Sequence, residues 1–349
     1  MRTKPEPPRR DRLRNWREYN AALVQRGSLT LWCDAEAVAG WVTQERTGRR
    51  GRPCVYSAAA ITCLLTLQQV FHLPLRAVVG FARSLLGLLG HAALPVAHPA
   101  TLSRRRRTLA VPLPLRRPAG PLHLVVDSTG LKVYGEGEWK VRQHGWAKRR
   151  TWVKVHLAVD AATHELRVVH VTPPAAEDSR QLPALLADEP APLAQVTADG
   201  AYDSQRCYAA VAARPEQPRA VFPPRRERRA GRPVRPRRNG YARSTPPRAY
   251  RTRQYTLHVW QHGNCHAPPL ARDEHVRAIR RMGRRAWKRA VGYHRRSLVE
   301  TAVWRLKQLF GPGVAARSLA AQTTIVRLRV AALNRMTALG MPAYAPRAP

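Results

Sequence analysis

The spacing of apolar and polar residues changes along the chain, and its first region is helical. Ala58–Phe71 is an uncharged run that follows Ser57, and Leu75–Leu89 repeats apolar positions at helical spacing after Pro74. Serine is a favoured helix N-cap and proline suits a first helical turn, so two helices joined by a short break are predicted. A shorter third helix is expected at 101–107.

Strand patterns begin near residue 121. Four short runs rich in Val and Leu predict strands at 122–126, 152–159, 166–171 and 193–197. Asp160 opens a hairpin loop between the second and third runs, and helices are predicted at about 178–186 and 204–213. Strands paired in a hairpin and then alternating with helices predict a mixed α/β sheet.

The last part of the chain divides into an Arg-rich segment and a helical end. Residues 214–253 are packed with Arg and Pro, contain Glu216 and Glu227 as their acids, and show no apolar periodicity. Disorder or a solvated arm is predicted there, with an arm that orders on a phosphate backbone as the alternative. From about residue 273 the pattern is helical, and Gly311-Pro312-Gly313 separates two helices.

Composition narrows the class of protein. Among 349 residues, 61 Lys and Arg stand against 22 Asp and Glu, a formal charge of +39 that points to nucleic acid as the partner. A hydrophobic share of 44% with nine Trp excludes a histone-like tail. Five Cys without a C-x-x-C pair indicate neither a disulfide framework nor a zinc ribbon.

Targeting signals are not evident in the sequence. The first 14 residues form a charged Pro/Arg segment without the apolar region of a secretory signal. The uncharged stretch 55–75 is long enough for a membrane span, but Gln68, Gln69, His72 and Pro74 interrupt it, which favours a buried helix. A cytoplasmic protein with no membrane partner is therefore expected.

Two groups of basic residues are candidate contacts to double-stranded DNA. One group, at the end of the third predicted helix, is Arg104, Arg105, Arg106 and Arg107. The other, close in sequence to the second predicted strand, is Lys148, Arg149, Arg150 and Lys154. Two helices, a tight turn and a basic third helix are compatible with a helix-turn-helix DNA-binding unit, and an ordinary helical bundle is an equal alternative.

Acidic residues are rare in this chain, so their positions are informative. Asp127 and Asp199 each follow an apolar strand run, and each is followed by residues typical of a turn. Side chains at such strand ends share the crevice in which α/β sheets bind ligands, although turn formation is the more common role of a single such Asp. Asp160 is assigned to the hairpin turn, and helix capping suits Asp203, with a supporting role at the site as the minority view.

A third acid lies on a predicted helix over 293–310. At 100° per residue, one narrow stripe of this helix holds Tyr293, Arg296, Glu300 and Lys307, with Trp304 beside it. The opposite side holds the apolar residues Leu298, Ala302, Leu306 and Leu309. Taken alone, the stripe is a solvated face on which Arg296 and Glu300 form a pair worth a few tenths of a kcal/mol.

The spacing Y-x2-R-x3-E-x6-K of this stripe resembles the signature of DDE transposases of bacterial insertion sequences, of the insertion-sequence-five type. Asp127 in V-D-S-T-G-L-K and Asp199 in A-D-G-A-Y-D are similar to the first and second catalytic aspartates of that family, with Glu300 as the third acid. The resemblance covers roughly residues 51–342. It departs from the family pattern at about 225–271, which is longer and richer in Arg.

The resemblance implies an α/β fold with an RNase H-like mixed-sheet catalytic core and a helical C-terminus. The expected domains are a basic N-terminal arm with lead-in helices (1–50), a helical, helix-turn-helix-like DNA-binding domain (51–117) and the catalytic domain (118–340). The catalytic domain would contain an irregular Arg/Pro-rich insertion at about 214–270.

The resemblance further implies a transposase that binds terminal inverted repeats, cuts DNA 3′ ends and joins them to target DNA. Asp127, Asp199 and Glu300 would hold two Mg²⁺ or Mn²⁺ ions, with Asp127 bridging both. Tyr293, Arg296 and Lys307 would support catalysis. The two basic residues, Arg296 and Lys307, would do so by holding phosphates. Pairing of two ends implies a homodimer in a synaptic complex at the nucleoid. A non-catalytic DNA-binding protein and an RNase H-like nuclease without strand transfer are the alternatives.

Two further sets of residues are weaker candidates. The spacing of His258, His262, Cys265 and His266 suits zinc, but no second pair completes a recognised site and none is predicted. Three aromatic residues, Trp139, Trp146 and Trp152, are either base-stacking residues or aromatics of a core or hairpin.

Overall fold

The computed structural model describes residues 12–43, 54–133, 152–228, 248–250 and 271–345. The helices are α1 (Trp16–Gln25), α2 (Ala35–Ala39), α3 (Ala58–Val70), α4 (Leu75–Leu88), α5 (Pro99–Arg105), α6 (Asp178–Ala187), α7 (Gln205–Ala212), α8 (Ala271–Ala290), α9 (Ser297–Phe310) and α10 (Leu319–Leu339). The strands are β1 (Arg12–Leu13), β2 (Leu122–Val133), β3 (Trp152–Asp160), β4 (Leu166–Thr172), β5 (Leu193–Ala198), β6 (Arg219–Val221), β7 (Arg226–Arg228), β8 (Arg248–Tyr250), β9 (Gly313–Val314) and β10 (Tyr344–Ala345). The predicted mixed α/β architecture is confirmed.

The chain divides into two compact units. Among the described residues, the helical unit comprises 12–43, 54–115, 132–133 and 305–345, and the sheet unit comprises 116–131, 152–228, 248–250 and 271–304. The division passes through β2 after Leu131 and through α9 after Trp304. The sheet unit therefore contains all three candidate acids.

In the helical unit, α3 is the central helix. Ser57 caps it as predicted, because its hydroxyl accepts a hydrogen bond from the Ala60 amide at 3.0 Å. The C-terminal helix α10 packs against α3, where the Arg329 Nε donates to Gln69 Oε1 at 2.8 Å. The helices α3 and α4 are bent by 111° across the break at residues 71–74.

Among the described residues, no single helix is both long and apolar enough to cross a membrane. α3 and α4 reach the required length and composition when counted together as a bent pair. The side chains of α3 are largely buried inside the protein.

The sheet unit is built on strands in the order β4-β3-β2-β5-β6. β3 and β4 are antiparallel, whereas β2, β5 and β6 run parallel. Leu122, Leu124 and Val126 of β2 pack into one apolar core with residues of α6 and α7. Because successive side chains of a strand point to opposite faces, Asp127 lies on the other face of the sheet.

The structure corrects the predicted end of the first strand. β2 does not turn at residues 128–130 but continues to Val133. Its pairing with β5 ends at Val126, and Lys132 and Val133 then pair in parallel with β9 in the helical unit. Asp127 is therefore a mid-strand residue, since the longer strand finds a second partner beyond β5.

The hairpin between β3 and β4 confirms the assignment of Asp160 to a turn. Its carboxylate accepts hydrogen bonds from the amides of Ala162 and Thr163, both at 3.1 Å. The Thr163 hydroxyl donates to the same carboxylate at 2.7 Å. Because these bonds satisfy a carboxylate that is 3% exposed, Asp160 is a structural residue.

The structure corrects the beginning of the Arg-rich segment, for which no regular element was predicted. β6 joins the sheet beside β5, and its short apolar stretch is buried. Arg214 is held by Glu216 and donates to the carbonyl oxygens of Leu186, Glu189 and Ala191. Residues 229–247 and 251–270 lie outside the described part of the chain.

Candidate active site

The two candidate aspartates lie side by side, Asp127 in β2 and Asp199 directly after the neighbouring strand β5. Val126 of β2 and Ala198 of β5 are paired Cα partners in parallel register, and Asp127 and Asp199 are the next residues. Val126 and Ala198 both enter the apolar core, so alternation places both aspartates on the opposite face. Adjacent strands lie about 4.8 Å apart, which brings the two carboxylates to one place on the sheet.

Backbone amides hold one oxygen of each aspartate. The Ser128 amide donates to Asp127 Oδ1 at 2.8 Å. The Ala201 amide donates to Asp199 Oδ1, also at 2.8 Å, because Asp199 caps the short 3₁₀ turn Gly200–Tyr202. Each carboxylate is thereby oriented with its second oxygen left for other partners.

The third acid is presented by α9, and here the predicted helix needs a correction. Tyr293–Arg296 forms a 3₁₀ turn, and the α-helix begins at Ser297. The turn follows Gly292, whose φ of 66° lies in the left-handed region that glycine adopts without strain. Tyr293 and Arg296 therefore precede the helix that carries Glu300.

The buried side of α9 also differs from the prediction. The buried residues are Val299, Ala302, Leu306 and Phe310, while Leu298 and Leu309 are half-buried. The exposed face includes Glu300 and Trp304, and Lys307 is half-buried further along the helix. The prediction therefore identified Ala302 and Leu306 as buried but omitted Val299 and Phe310, which lie on the same side of the helix.

Arg296 connects the sheet to α9. Its Nη1 lies 3.5 Å from Asp127 Oδ2, and its Nη2 donates to Glu300 Oε1. The Arg296 and Asp127 side chains are both 21% exposed, whereas that of Glu300 is 53% exposed. One guanidinium thus bridges two of the three carboxylates.

The electrostatics of Asp127 reflect this crowding. Burial raises the pKa of Asp127 above its ordinary value, and the nearby Asp199 and Glu300 raise it further. The Ser128 amide and Arg296 oppose this pKa shift without cancelling it. Burial is therefore the main reason that the Asp127 carboxyl releases its proton less readily than an exposed one.

The pKa values of Arg296 and Tyr293 are shifted as well. Burial alone would lower the pKa of Arg296, but Tyr293 and the three acids together raise it. Burial raises the pKa of Tyr293, with Arg296 acting against it. Arg296 is therefore charged and Tyr293 neutral near pH 7.

The donor set fits hard divalent cations. Carboxylate oxygens are the ligands that Mg²⁺ and Mn²⁺ prefer, and Asp127, Asp199 and Glu300 supply such oxygens near one another. In the described residues, no three acidic, His or Cys side chains form a closed coordination group. The Arg296 guanidinium instead bridges Asp127 and Glu300. The fit of these residues to a divalent metal ion therefore rests on the type of oxygen donor that they supply.

A cleft with a volume of about 320 Å³ adjoins Glu300. Its lining residues are Lys288, Arg289, Tyr293, His294, Arg296, Ser297 and Glu300. The Lys288 ammonium lies 5.1 Å from the centroid of the Tyr293 ring, within the range of a cation–π contact. The sequence did not single out Lys288 or Arg289 among so many cations.

The turn that holds Asp199 is fixed by a buried ion pair that the sequence did not predict. Arg272 of α8 donates from Nε to Asp203 Oδ1 at 2.8 Å and from Nη2 to Oδ2 at 3.2 Å. The Arg225 amide donates to the same carboxylate at 2.8 Å. The prediction that Asp203 caps the following helix is wrong, because Ser204 occupies that cap.

The predicted DNA-contacting residues are placed as follows. Arg104 and Arg107 are exposed at the end of α5, while Arg105 donates to the Tyr56 carbonyl and Arg106 is half-buried. Lys154 binds Asp178 at 2.9 Å and the Ala176 carbonyl at 3.0 Å, so its charge has partners inside the protein. Lys148, Arg149 and Arg150 lie outside the described residues.

The remaining candidates are largely outside the described part of the chain. This holds for the possible zinc residues His258, His262, Cys265 and His266, and for Trp139 and Trp146. Trp152 is described and half-buried on β3. A Cβ at Gly130 would lie 3.4 Å from its ring, so Trp152 packs over the glycine of the neighbouring strand.

Two protein-family models match the chain. A family model described as "Transposase DDE domain" matches residues 118–335, which include all three acids, and a second model with the same description matches residues 24–136. The first match covers more than half of the chain. The protein belongs to the DDE transposase family, a class of metal-dependent enzymes that cleave DNA.

Proposed function

We propose that this protein is an insertion-sequence transposase of the insertion-sequence-five type, which binds the terminal inverted repeats of its element. It cuts DNA 3′ ends and joins them to target DNA. The observation that carries the proposal is the side-by-side placement of Asp127 and Asp199, with Glu300 linked to Asp127 through Arg296. The strand order β4-β3-β2-β5-β6 supports an RNase H-like core.

Asp127, Asp199 and Glu300 are the proposed ligands of two Mg²⁺ or Mn²⁺ ions. When bound, such ions would stabilise the attacking and leaving oxygens of an in-line displacement at phosphorus. The backbone amides of Ser128 and Ala201 orient the two aspartates in advance. This preorganisation reduces the cost of gathering three negative charges.

Arg296 is proposed to hold a DNA phosphate during the reaction. Guanidinium groups bind phosphate oxygens through two parallel hydrogen bonds. In the free protein the same group neutralises Asp127 and Glu300, so phosphate binding would exchange one set of anionic partners for another. Tyr293 supports Arg296 from the adjoining cleft, and Lys307 would contact phosphate further along α9.

The helical unit supplies the proposed sequence-specific DNA contacts. α3 and α4 cross at 111° over a four-residue break, within the range of helix-turn-helix pairs. Arg76 and Arg83 lie exposed on α4, and Arg104 and Arg107 lie exposed at the end of α5. A homodimer that pairs two element ends at the nucleoid completes the proposal.

The test is a cleavage and joining assay with labelled element ends, a target plasmid and Mn²⁺. Wild type is expected to cut and join, whereas Asp127→Ala, Asp199→Ala and Glu300→Ala are expected to bind the ends and do neither. Asp160→Ala is the matched control. The Asp160 carboxylate serves the hairpin turn, so its loss is expected to affect stability and not the chemistry. If the three variants cut like wild type, the assigned site is wrong.

Other results of the same assay separate the alternatives. Binding by wild type without any cutting would identify a DNA-binding protein that is not catalytic. Cutting without joining would identify a nuclease. Either result would overturn the proposed strand transfer.

A further inference from the structure

The face of the sheet that carries the two aspartates also carries a polar network. Gln195 and Thr197 precede Asp199 at alternate positions, and His123 of β2 is the paired partner of Gln195. Because side chains alternate along a strand, all three point to the same face as Asp127 and Asp199. Thr197 is fully buried, so its hydroxyl requires partners within the protein.

The direction of each hydrogen bond in this network follows from the chemistry of its groups. Gln195 Nε2 donates to Thr197 Oγ1 at 2.9 Å and to the Val291 carbonyl at 3.4 Å. A carbonyl oxygen only accepts, so the nitrogen of the Gln195 amide is the atom that faces Val291. The Thr197 hydroxyl lies 2.9 Å from His123 Nε2, to which it donates its own proton.

The His123 ring is the acceptor at the far end of the network. Gln195 Nε2 lies 3.1 Å from the same ring nitrogen, which fits a lone pair there and not a proton. Burial lowers the pKa of His123 to about 4, Arg295 and His294 act in the same direction, and Asp160 opposes them. The ring is therefore neutral near pH 7, and donors and acceptors alternate from β2 to the Val291 carbonyl.

The Val291 carbonyl marks the place where α8 ends and the site turn begins. The last carbonyls of a helix lack partners within that helix, and Gln195 supplies one for Val291. The Val291 side chain is 5% exposed and belongs to an apolar cluster on this face of the sheet. Gly292 follows, and the 3₁₀ turn after it presents Arg296. Gln195 therefore ties the start of this turn to β5.

We infer that Gln195 is a positioning residue, which fixes the turn so that Arg296 reaches Asp127. One strand then sets two parts of the site, because β5 carries Gln195 and leads directly into Asp199. The inference rests on the proposed transposase function and adds a residue outside the Y-x2-R-x3-E-x6-K spacing to that site. Gln195 acts through the turn and is not a catalytic residue.

The first experiment measures hydrogen exchange in the full-length protein without DNA or metal. The amides of Val291, Gly292 and Arg295 are hydrogen-bonded to backbone carbonyls at the end of α8 and in the turn. Gln195→Met keeps a side chain of similar size and removes both N–H donors. It is expected to make these amides exchange about 2- to 10-fold faster, in line with the loss of one hydrogen bond.

Gln322→Met is the matched control for this experiment. Gln322 is a buried residue of the helical unit whose Nε2 also donates to a backbone carbonyl, that of Ala316, at 2.8 Å. Its replacement is expected to lower the melting temperature and to leave exchange in the turn at wild-type rates. Thr197→Val removes an acceptor of Gln195 and is expected to speed exchange in the turn, whereas Thr197→Ser keeps the hydroxyl and should match wild type.

The second experiment measures single-turnover cleavage of an element end in Mn²⁺, with DNA affinity measured separately. Gln195→Met is expected to cut about 10- to 100-fold more slowly, because a displaced turn moves Arg296 away from Asp127. Its affinity for DNA should change little, since the cations of the cleft are kept. Gln195→Met/Arg296→Gln is expected to cut no more slowly than Arg296→Gln, because Gln195 acts through Arg296. Gln322→Met is expected to cut at the wild-type rate.

The outcomes distinguish the inference from the proposed function. If exchange in the turn is the same in Gln195→Met and wild type, the positioning role is wrong. It is also wrong if Gln195→Met and Gln322→Met slow cleavage equally, or if the double variant is much slower than Arg296→Gln. If wild type neither cuts nor joins while exchange in the turn depends on Gln195, the proposed catalytic function fails and the tie between β5 and the turn stands.

Discussion

The guanidinium of Arg296 lies 3.5 Å from Asp127 Oδ2, and it reaches from the 3₁₀ turn before α9 to the middle of a central strand. Arg296 also binds Glu300, so a single side chain carries the positive charge between two acids. Burial and the neighbouring acids nevertheless keep the pKa of Asp127 above its ordinary value. The balance of these effects can be measured.

Asp127→Asn is expected to raise the melting temperature of the metal-free protein at neutral pH. A carboxyl whose pKa is raised by folding stabilises the protein below its unfolded pKa, and this contribution is lost as the pH rises through the folded pKa. The advantage of Asn should therefore be greatest above the raised pKa and vanish as the pH falls below 3.8. Thermal melts between pH 3.5 and 8 are expected to show a gain of roughly 1–3 °C at pH 7. A lower melting temperature for Asp127→Asn at pH 7 would show that pairing with Arg296 outweighs burial.

Arg296→Gln is expected to move the acidic limb of the pH–rate profile of DNA cleavage to higher pH. Arg296 lowers the pKa of Asp127, so its loss lets Asp127 take up a proton at higher pH. Cleavage rates measured in Mn²⁺ from pH 5 to 9 give the limb. Arg295→Gln is the matched control, since this neighbouring arginine is exposed, and its limb is expected to coincide with that of wild type. If the limbs for Arg296→Gln and wild type coincide, Arg296 does not influence the pKa of Asp127 during cleavage.

Arg272→Met is expected to destabilise the protein by about 3–5 kcal/mol, because it leaves the buried carboxylate of Asp203 without its partner. The double variant Asp203→Leu/Arg272→Met should recover much of this loss. It should retain a cost of about 1–3 kcal/mol for the Arg225 amide, which loses its acceptor. Urea unfolding of wild type and of both variants measures these differences.

An exposed ion pair serves as the comparison. Arg180 and Glu177 are each 63% exposed, and Arg180→Gln is expected to cost at most about 1 kcal/mol. If Arg272→Met and Arg180→Gln have equal effects, Arg272 does not hold the Asp199 turn.

Lys288→Gln/Arg289→Gln is expected to weaken DNA binding and to make that binding less sensitive to salt. Both residues line the cleft beside Glu300, and each phosphate contact contributes about 0.9 to the slope of log K against log salt. The slope should therefore decrease by about 1.8 if both contacts are lost. Fluorescence anisotropy between 50 and 300 mM salt gives this slope.

The control for the salt experiment removes the same number of charges from the sheet unit. Arg180→Gln/Arg206→Gln changes two exposed arginines outside the cleft. Its slope is expected to match that of wild type. Equal slopes for both double variants would show that the effect is one of net charge and not of the cleft.

Local patterns predicted many of the individual elements. Serine at a helix start, alternating Val positions in a strand and the Asp160 turn depend on neighbouring residues, and each agrees with the structure. Two predictions failed because they required distant partners. β2 extends past Asp127 by pairing with β9, and β6 lies in an Arg-rich stretch because it completes the sheet beside β5.

By itself, the sequence made Asp127, Asp199 and Glu300 candidate acids, since the two aspartates follow apolar strand runs and the spacing around Glu300 resembles the transposase signature. Tertiary structure alone decided that Val126 and Ala198 are partners, which brings Asp127 and Asp199 together. It also selected Arg272 from 61 Lys and Arg residues to bind Asp203. Strand pairing and the burial of a charge depend on residues far apart in the chain, so local spacing cannot specify them.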